Sequence, residues 1–224
     1  AIGWFRDVEA RCTRFDVTSE LMRLCSTPGV PVPVSEILCE ATRFALAAAA
    51  ASDGAFDPTV GHAMEAYGFN RNYQTGQVVR STVDPKDPAT YRDVLVDAER
   101  RAITLSRPLV LDLGAVAKGL AIDMAARELE PFEHFAIDAG GDLRLGGLNS
   151  HGEAWLVGVR HPRNDDELCA TLRVSGMAVC TSGDYERRSP VESGHHILDP
   201  RTMTSVDGVI SATVVAPTAM VADA

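Results

Sequence analysis

The stretch from Leu109 to Leu129 constrains the fold more than any other. Leu109 to Leu111 are apolar and read as the end of a buried strand, and the chain then turns at Gly114. Beyond it, Ala115, Lys118, Ala121, Ile122 and Ala125 recur at helical spacing as far as Leu129, before Pro131 stops the pattern. Asp112 therefore sits where an extended segment gives way to a helix. Backbone N–H groups at such a junction favour anions. A carboxylate there, beside a free carbonyl and Lys118, can hold a cation and a phosphate together. A structural glycine turn capped by an aspartate reads equally well from this stretch alone.

A chain of 224 residues makes one large domain or two small ones, enough for a real core. Its net charge of −10 argues against a nucleic-acid footprint and against docking on anionic lipid. A phosphate ligand would therefore call for a metal as mediator. The five cysteines, Cys12, Cys25, Cys39, Cys169 and Cys180, form no C-x-x-C pair and read as free, mostly buried thiols. No apolar run is long enough to span a bilayer, and Phe44 to Ala51 reads as a buried helix. No signal peptide is visible, and the first residue, Ala1, is not Met.

In chain order, residues 1–27 read as helical, with Val8, Cys12 and Phe15 on one face and a second short helix capped at Thr18-Ser19. Pro28-Gly29 breaks the pattern, and Ser35 caps a long helix from Glu36 to Ala51 with Ile37, Phe44, Ala45 and Leu46 facing the core. Ser52 to Gly61 is a tight loop in which Asp57, preceding Pro58, is extended. Residues 70–92 read as a polar surface excursion. Val94 to Asp97 and Ala102 to Leu105 alternate as a hairpin. Strands are expected at 134–138, 143–145, 155–159, 168–174, 178–180 and 206–215, with a short one near 194–198. A polar loop is expected between the strands ending at Val159 and beginning at Leu168. Residues 218–224 read as the first turn of a helix. The mixture lacks strict β-α alternation, so the fold class is α+β, a mixed, largely antiparallel sheet core with packed helices.

Four glycine-bearing turns carry an acid each: Gly54-Ala-Phe-Asp57, Asp112-Leu-Gly114, Gly140-Gly-Asp142 and Ser182-Gly-Asp184. Ligand sites favour such loops. The acids suit Mg²⁺, which takes one or two carboxylates, a carbonyl and substrate phosphates. The chain has no H-E-x-x-H, Walker A or G-x-S-x-G motif, and Gly140 to Gly146 does not fit G-x-G-x-x-G. His195 and His196 offer a base near neutral pH, although a lone histidine is more often structural.

Taken together, Asp53-Gly-Ala-Phe-Asp-Pro-Thr-Val60, Asp112-Leu-Gly-Ala-Val-Ala-Lys-Gly119, Gly140-Gly-Asp142, Thr181-Ser-Gly-Asp-Tyr-Glu186 and His196-Ile-Leu-Asp-Pro-Arg201 resemble the FAD:protein FMN transferases, the ApbE-like flavin transferases. The resemblance runs from about Phe15 to the end. It implies one domain of that fold over 1–224, incomplete at both ends. It also implies a reaction: Mg²⁺-assisted transfer of FMN from FAD to a Thr or Ser hydroxyl of an acceptor flavoprotein, for example a redox-complex subunit, with AMP released. FAD binding without transfer, or FAD hydrolysis to FMN and AMP, are the alternatives, and a purely structural domain is the blandest. Family members are exported lipoproteins or cytoplasmic.

Carried onto this chain, the resemblance implies FAD contacts at Phe15, Ala55, Phe56, Asp57, Asp112, Lys118, Gly141, Asp142, Thr181, Ser182, His196 and Ile197. It implies metal ligation by the Ala115 carbonyl and Asp223, with His196 as the base for the acceptor hydroxyl. The family's Asp-Ala-Leu-Ala-Thr segment begins here at Asp223-Ala224, so its metal-binding Thr falls past the last residue.

Overall fold

A computed structural model of the protein describes residues 1–73, 75–81, 88–191 and 193–224. In chain order its elements are α1 (Ile2–Cys12), α2 (Glu20–Cys25), β1 (Val32–Pro33), α3 (Glu36–Ala51), α4 (Gly61–Ala66), β2 (Val94–Asp97), β3 (Ala102–Leu105) and α5 (Gly114–Leu129). There follow β4 (Phe135–Ala139), β5 (Asp142–Gly146), β6 (Trp155–His161), β7 (Asn164–Val174), β8 (Met177–Gly183), β9 (Leu198–Asp199), β10 (Thr204–Ser205), β11 (Ser211–Ala216) and α6 (Ala219–Asp223). The chain divides into two compact units. A helical unit comprises residues 7–117 and 187–206, and a sheet unit comprises 1–6, 118–186 and 207–224, so the division passes through α1 and α5.

In the helical unit, Ser19 and Ser35 cap α2 and α3 by accepting from the N–H of Met22 and Leu38. Glu20 accepts from the backbone N–H and the hydroxyl of Ser35, so the first residue of α2 holds the cap of α3. The buried stripe of α3 is Leu38, Ala41, Thr42, Ala45 and Ala49, whereas Ile37, Phe44 and Leu46 are half-buried. The expected face is thus rotated, because in an alanine-rich helix the small residues permit close approach and the larger ones flank it. β2 and β3 pair as the expected hairpin, with β1 on the other side of β3.

Leu109, Val110 and Leu111 are buried but lie in no ladder. Their backbone is satisfied locally: the Val110 carbonyl accepts from Gly61 N–H, and Asp112 N–H donates to the Pro58 carbonyl. The predicted strand is an extended segment that pairs with a loop instead of a strand. α1 ends at Cys12, which leaves Phe15 in a bend instead of on a helical face. Within the polar stretch 70–92, residues 74 and 82–87 lie outside the described residues. Of the remainder, Val79 and Ala89 are buried and Arg71 bridges Val78.

The sheet unit is layered. Its four-stranded antiparallel sheet has the order β11-β8-β5-β4. On one face Ile122 of α5 and Ala219 and Ala222 of α6 pack with Ala178, Cys180 and Ala216. On the opposite face Leu145 and Val179 pack with Val174, Trp155 and Val157 of the β6–β7 ribbon. The alternation of Val179 against Ala178 and Cys180 along β8 produces these two faces. β6 and β7 are longer than expected: the predicted polar loop is mostly strand, with the turn confined to Pro162-Arg163 and register shifts near Arg160. Asn164 pairs with His161 and Leu168 with Arg160, so β7 continues through the polar residues 165–167 as an irregularity in the ribbon. Residues 206–210, in turn, stay outside the ladder, and β11 starts at Ser211.

The five cysteines are all free, four of them buried and Cys169 exposed. Among the described residues no helix is long and apolar enough to cross a membrane.

Candidate active-site residues

Most of the acids singled out from the sequence are already spoken for. Asp57 caps the 3-10 turn Pro58–Val60: its Oδ1 accepts from Thr59 N–H at 2.9 Å and from the Thr59 hydroxyl at 2.7 Å. Its Oδ2 accepts from Tyr91 N–H at 2.9 Å. That buried carboxylate ties two loops together, and the neighbouring Phe56 and Ala55 are progressively more exposed. Asp112 accepts from Arg14 Nε at 2.6 Å and from Gly114 N–H at 2.8 Å. Burial pushes the Asp112 carboxyl up, but Arg14, the Gly114 N–H and nearby Arg187 outweigh it and hold it below the usual range. Arg14 also lies over the Phe15 ring, 4.4 Å from its centroid. Asp184, in the sheet unit, receives both arms of Arg163 at 2.7 and 2.6 Å.

The β4–β5 turn places Asp142. Ala139 faces Asp142 across a two-residue loop, and Gly140 and Gly141 have φ of +67° and +96°, a left-handed pair that suits a tight hairpin. Asp142 is buried and forms an ion pair with Lys118 of α5. Its Oδ1 accepts from Thr181 N–H at 3.3 Å, and the Thr181 hydroxyl meets that of Thr213 at 2.9 Å. Ser182, one residue on, is exposed.

Asp223 differs from these acids. It ends α6, and its Oδ2 is buried with no hydrogen-bond partner among the described residues. Burial raises its carboxyl to about 7, with Lys118 opposing the rise and Asp142 adding to it. Burial lowers the Lys118 ammonium, but Asp142 and Asp223 more than reverse this. A half-buried acid whose inner oxygen keeps an unused lone pair, next to one lysine already engaged by another carboxylate, suits a cation. Among the described residues no cluster of three or more His, Cys, Asp or Glu side chains could hold a metal. A hard cation here would thus complete its shell with carbonyls, water or phosphate. Ala115, the expected carbonyl ligand, belongs to the first turn of α5 in the helical unit.

Two residues that position this group were not singled out from the sequence. Asp123 accepts from the N–H groups of Ala219 and Met220 at 2.8 and 2.9 Å, which fixes the start of α6 and hence Asp223. A side chain on Gly119 would lie 2.6 Å from Met220 Cα, so the glycine is what lets α6 approach α5. The Asp123 partnership spans almost a hundred residues and leaves no local signal. Arg14 was missed for the same reason.

The two histidines have different duties. The Val206 carbonyl can only accept, so its 2.9 Å contact requires a proton on His195 Nε2, and His195 Nδ1 in turn accepts from Ile197 N–H. Both ring nitrogens of His195 are thereby held by the backbone, a structural duty. His196 Nδ1 lies 3.3 Å from the Arg187 carbonyl, which assigns the proton to Nδ1, and its ring meets Phe69 edge-on at 6.3 Å. Ile197 follows it, half-buried.

These features define a mixed α+β protein with antiparallel sheets and, in its sheet unit, a half-buried carboxylate beside a Lys–Asp ion pair. The chain belongs to the ApbE family, whose model matches residues 1–224. It is 30% identical over 218 residues to the FAD:protein FMN transferase of Escherichia coli K12, with 92% of this chain and 62% of that protein covered. It thus spans about three-fifths of that relative's length. Among solved structures, it resembles the ApbE protein of Thermotoga maritima, with TM-score 0.87, 34% identity, and 99% of this chain and 74% of that one covered. It also resembles the flavin transferase ApbE of Vibrio cholerae, with TM-score 0.81, 28% identity, and 99% and 73% covered.

Proposed function

We propose that this chain transfers FMN from FAD to a Thr or Ser hydroxyl of an acceptor flavoprotein, with Mg²⁺ assisting and AMP leaving. The observation that carries this reading is the buried Oδ2 of Asp223, unpartnered among the described residues, beside the Lys118–Asp142 pair. Family membership over the whole chain and the names of its relatives support it.

In this reading the acceptor hydroxyl oxygen bonds to the phosphorus on the FMN side of the FAD pyrophosphate. The bond from that phosphorus to the bridging oxygen breaks, AMP departs with the bridging oxygen, and the hydroxyl proton passes to a base. Asp223 is the carboxylate that holds Mg²⁺, which when bound offsets negative charge on the phosphate oxygens. Lys118 contributes a cation near the same oxygens, with Asp142 holding its ammonium in place. His196 takes the hydroxyl proton: with Nδ1 protonated, the basic lone pair is on Nε2. Gly141, Thr181, Ser182, Ala55, Phe56, Asp57, Asp112, Phe15 and Ile197 contact the nucleotide.

The test is to mix the full-length protein with FAD, Mg²⁺ and an acceptor flavoprotein and read in-gel flavin fluorescence. A fluorescent acceptor band that chelator abolishes is the expected result. Bound FAD with no band would leave a binding protein, and free FMN with AMP would make it a pyrophosphatase.

A further inference from the structure

The helical unit contains a buried cation that its fold does not fully use. Arg14 is 4% exposed, and only its Nε is committed to Asp112. Its Nη1 is buried with no hydrogen-bond partner among the described residues. Leaving a buried charged donor unmet is costly. The Phe15 ring beneath the guanidinium and the Asp112 carboxylate at Nε fix its plane. The same Asp112 accepts from Gly114 N–H, the first residue of the sixteen-residue α5, so the guanidinium is held at that helix's N-terminus. Arg187 is near enough to act on Asp112 as well. Two cations and one carboxylate leave an excess positive charge at the positive end of a long helix.

We infer that Arg14 Nη1, at the start of α5, is the donor for a phosphate oxygen of the dinucleotide substrate. The inference rests on the flavin-transferase reading and deepens it by assigning its diphosphate a ligand. Asp112, besides its own contact with the nucleotide, positions Arg14: it takes Nε and leaves Nη1 for the anion. The planar fork makes this possible, because its nitrogens donate in fixed, separate directions, whereas a lysine's three donors radiate from one nitrogen and lack that spacing. This explains the cost of burying a guanidinium beside Phe15: with phosphate bound, the remaining arm forms a charge-assisted hydrogen bond.

The test is calorimetric, on full-length protein, with three probes: FAD, inorganic pyrophosphate and riboflavin. Arg14→Lys keeps the charge and the Asp112 partner but removes the second arm. The expected result is about a tenfold or greater loss of affinity for FAD and pyrophosphate, with riboflavin unchanged. Equal loss for FAD and riboflavin would make Arg14 a structural residue and overturn the inference, as would unchanged affinity for all three. Pyrophosphate binding without FAD binding in the wild type would remove the flavin reading and leave the anion site standing. Failure of the wild type to bind either would remove both. Should the variant not fold, a crystal of the wild type grown with pyrophosphate decides: an oxygen of the ligand within hydrogen-bond distance of Nη1 upholds the inference, and water there refutes it.

Discussion

Lys118, 44% exposed, forms an ion pair with Asp142, whose side chain is 3% exposed. The two partners therefore stand to lose different things. Lys118→Met strands a buried carboxylate and is expected to lower stability towards the ~3 kcal/mol typical of a broken buried pair. Asp142→Asn leaves an ammonium that can turn to solvent, and its cost should be distinctly smaller. Urea denaturation of both variants measures the asymmetry; equal losses would mean that Asp142 reaches water more easily than its burial implies.

Asp223 has a pH signature. Its carboxyl ionises near 3.8 in the unfolded chain and at about 7 in the folded one. Between these values the unfolded state gives up a proton that the folded state keeps, so rising pH favours unfolding. The contribution is complete below 3.8 and is lost as pH rises through 7. Metal-free wild type should therefore lose more stability between pH 4 and pH 8 than Asp223→Asn does. Parallel curves for the two proteins would show that this carboxyl is not raised. The same variant should abolish Mg²⁺-dependent turnover while retaining FAD.

Asp123 fixes the start of α6. Asp123→Ala removes the acceptor of two N–H groups at the start of α6 and should cost about 1–2 kcal/mol, as lost caps do. Because α6 carries Asp223, Mg²⁺ affinity measured by calorimetry should fall as well. Asp123→Asn, which keeps one acceptor, should recover part of both. A loss of stability with metal affinity intact would separate α6 from the metal.

Gly119→Ala brings a methyl group to within 2.6 Å of Met220 Cα. Backbone there cannot move aside as a side-chain tip can, so about 1–3 kcal/mol of stability should be lost, the usual cost of overpacking. A thermal melt measures it.

His196→Ala should slow FMN transfer by ten- to a thousand-fold or more, as loss of a general base does, while changing FAD affinity much less. Single-turnover transfer set beside an FAD titration distinguishes the two. Equal loss in both would make His196 a binding residue.

Elements whose signal is local were legible in the sequence. Ser35 announces α3 and Thr218 announces α6, each by a side-chain cap the structure contains. The Gly140-Gly141 turn and the β2–β3 hairpin follow from backbone conformations only a few residue types adopt. What escaped depends on partners far along the chain. Leu109 to Leu111 carry a strand's composition, yet a loop at Pro58 and Gly61 takes their hydrogen bonds. Asn164 to Glu167 carry a loop's composition, yet β7 runs through them: Asn164 pairs with His161, Leu168 with Arg160, and residues 165–167 make up the irregularity between the two pairs. Among the acids, the sequence could not tell the saturated Asp57, which bonds Thr59 and Tyr91, from Asp223, which keeps an oxygen unmet among the described residues. That difference exists only once the chain has folded.

The two left-handed glycines before Asp142 offer no side chain. Whatever meets that tip meets peptide groups alone. Few side chains adopt that backbone conformation without strain. The loop that presents Asp142 is thus shaped by backbone alone, and its form hangs on two positions that few residue types can fill.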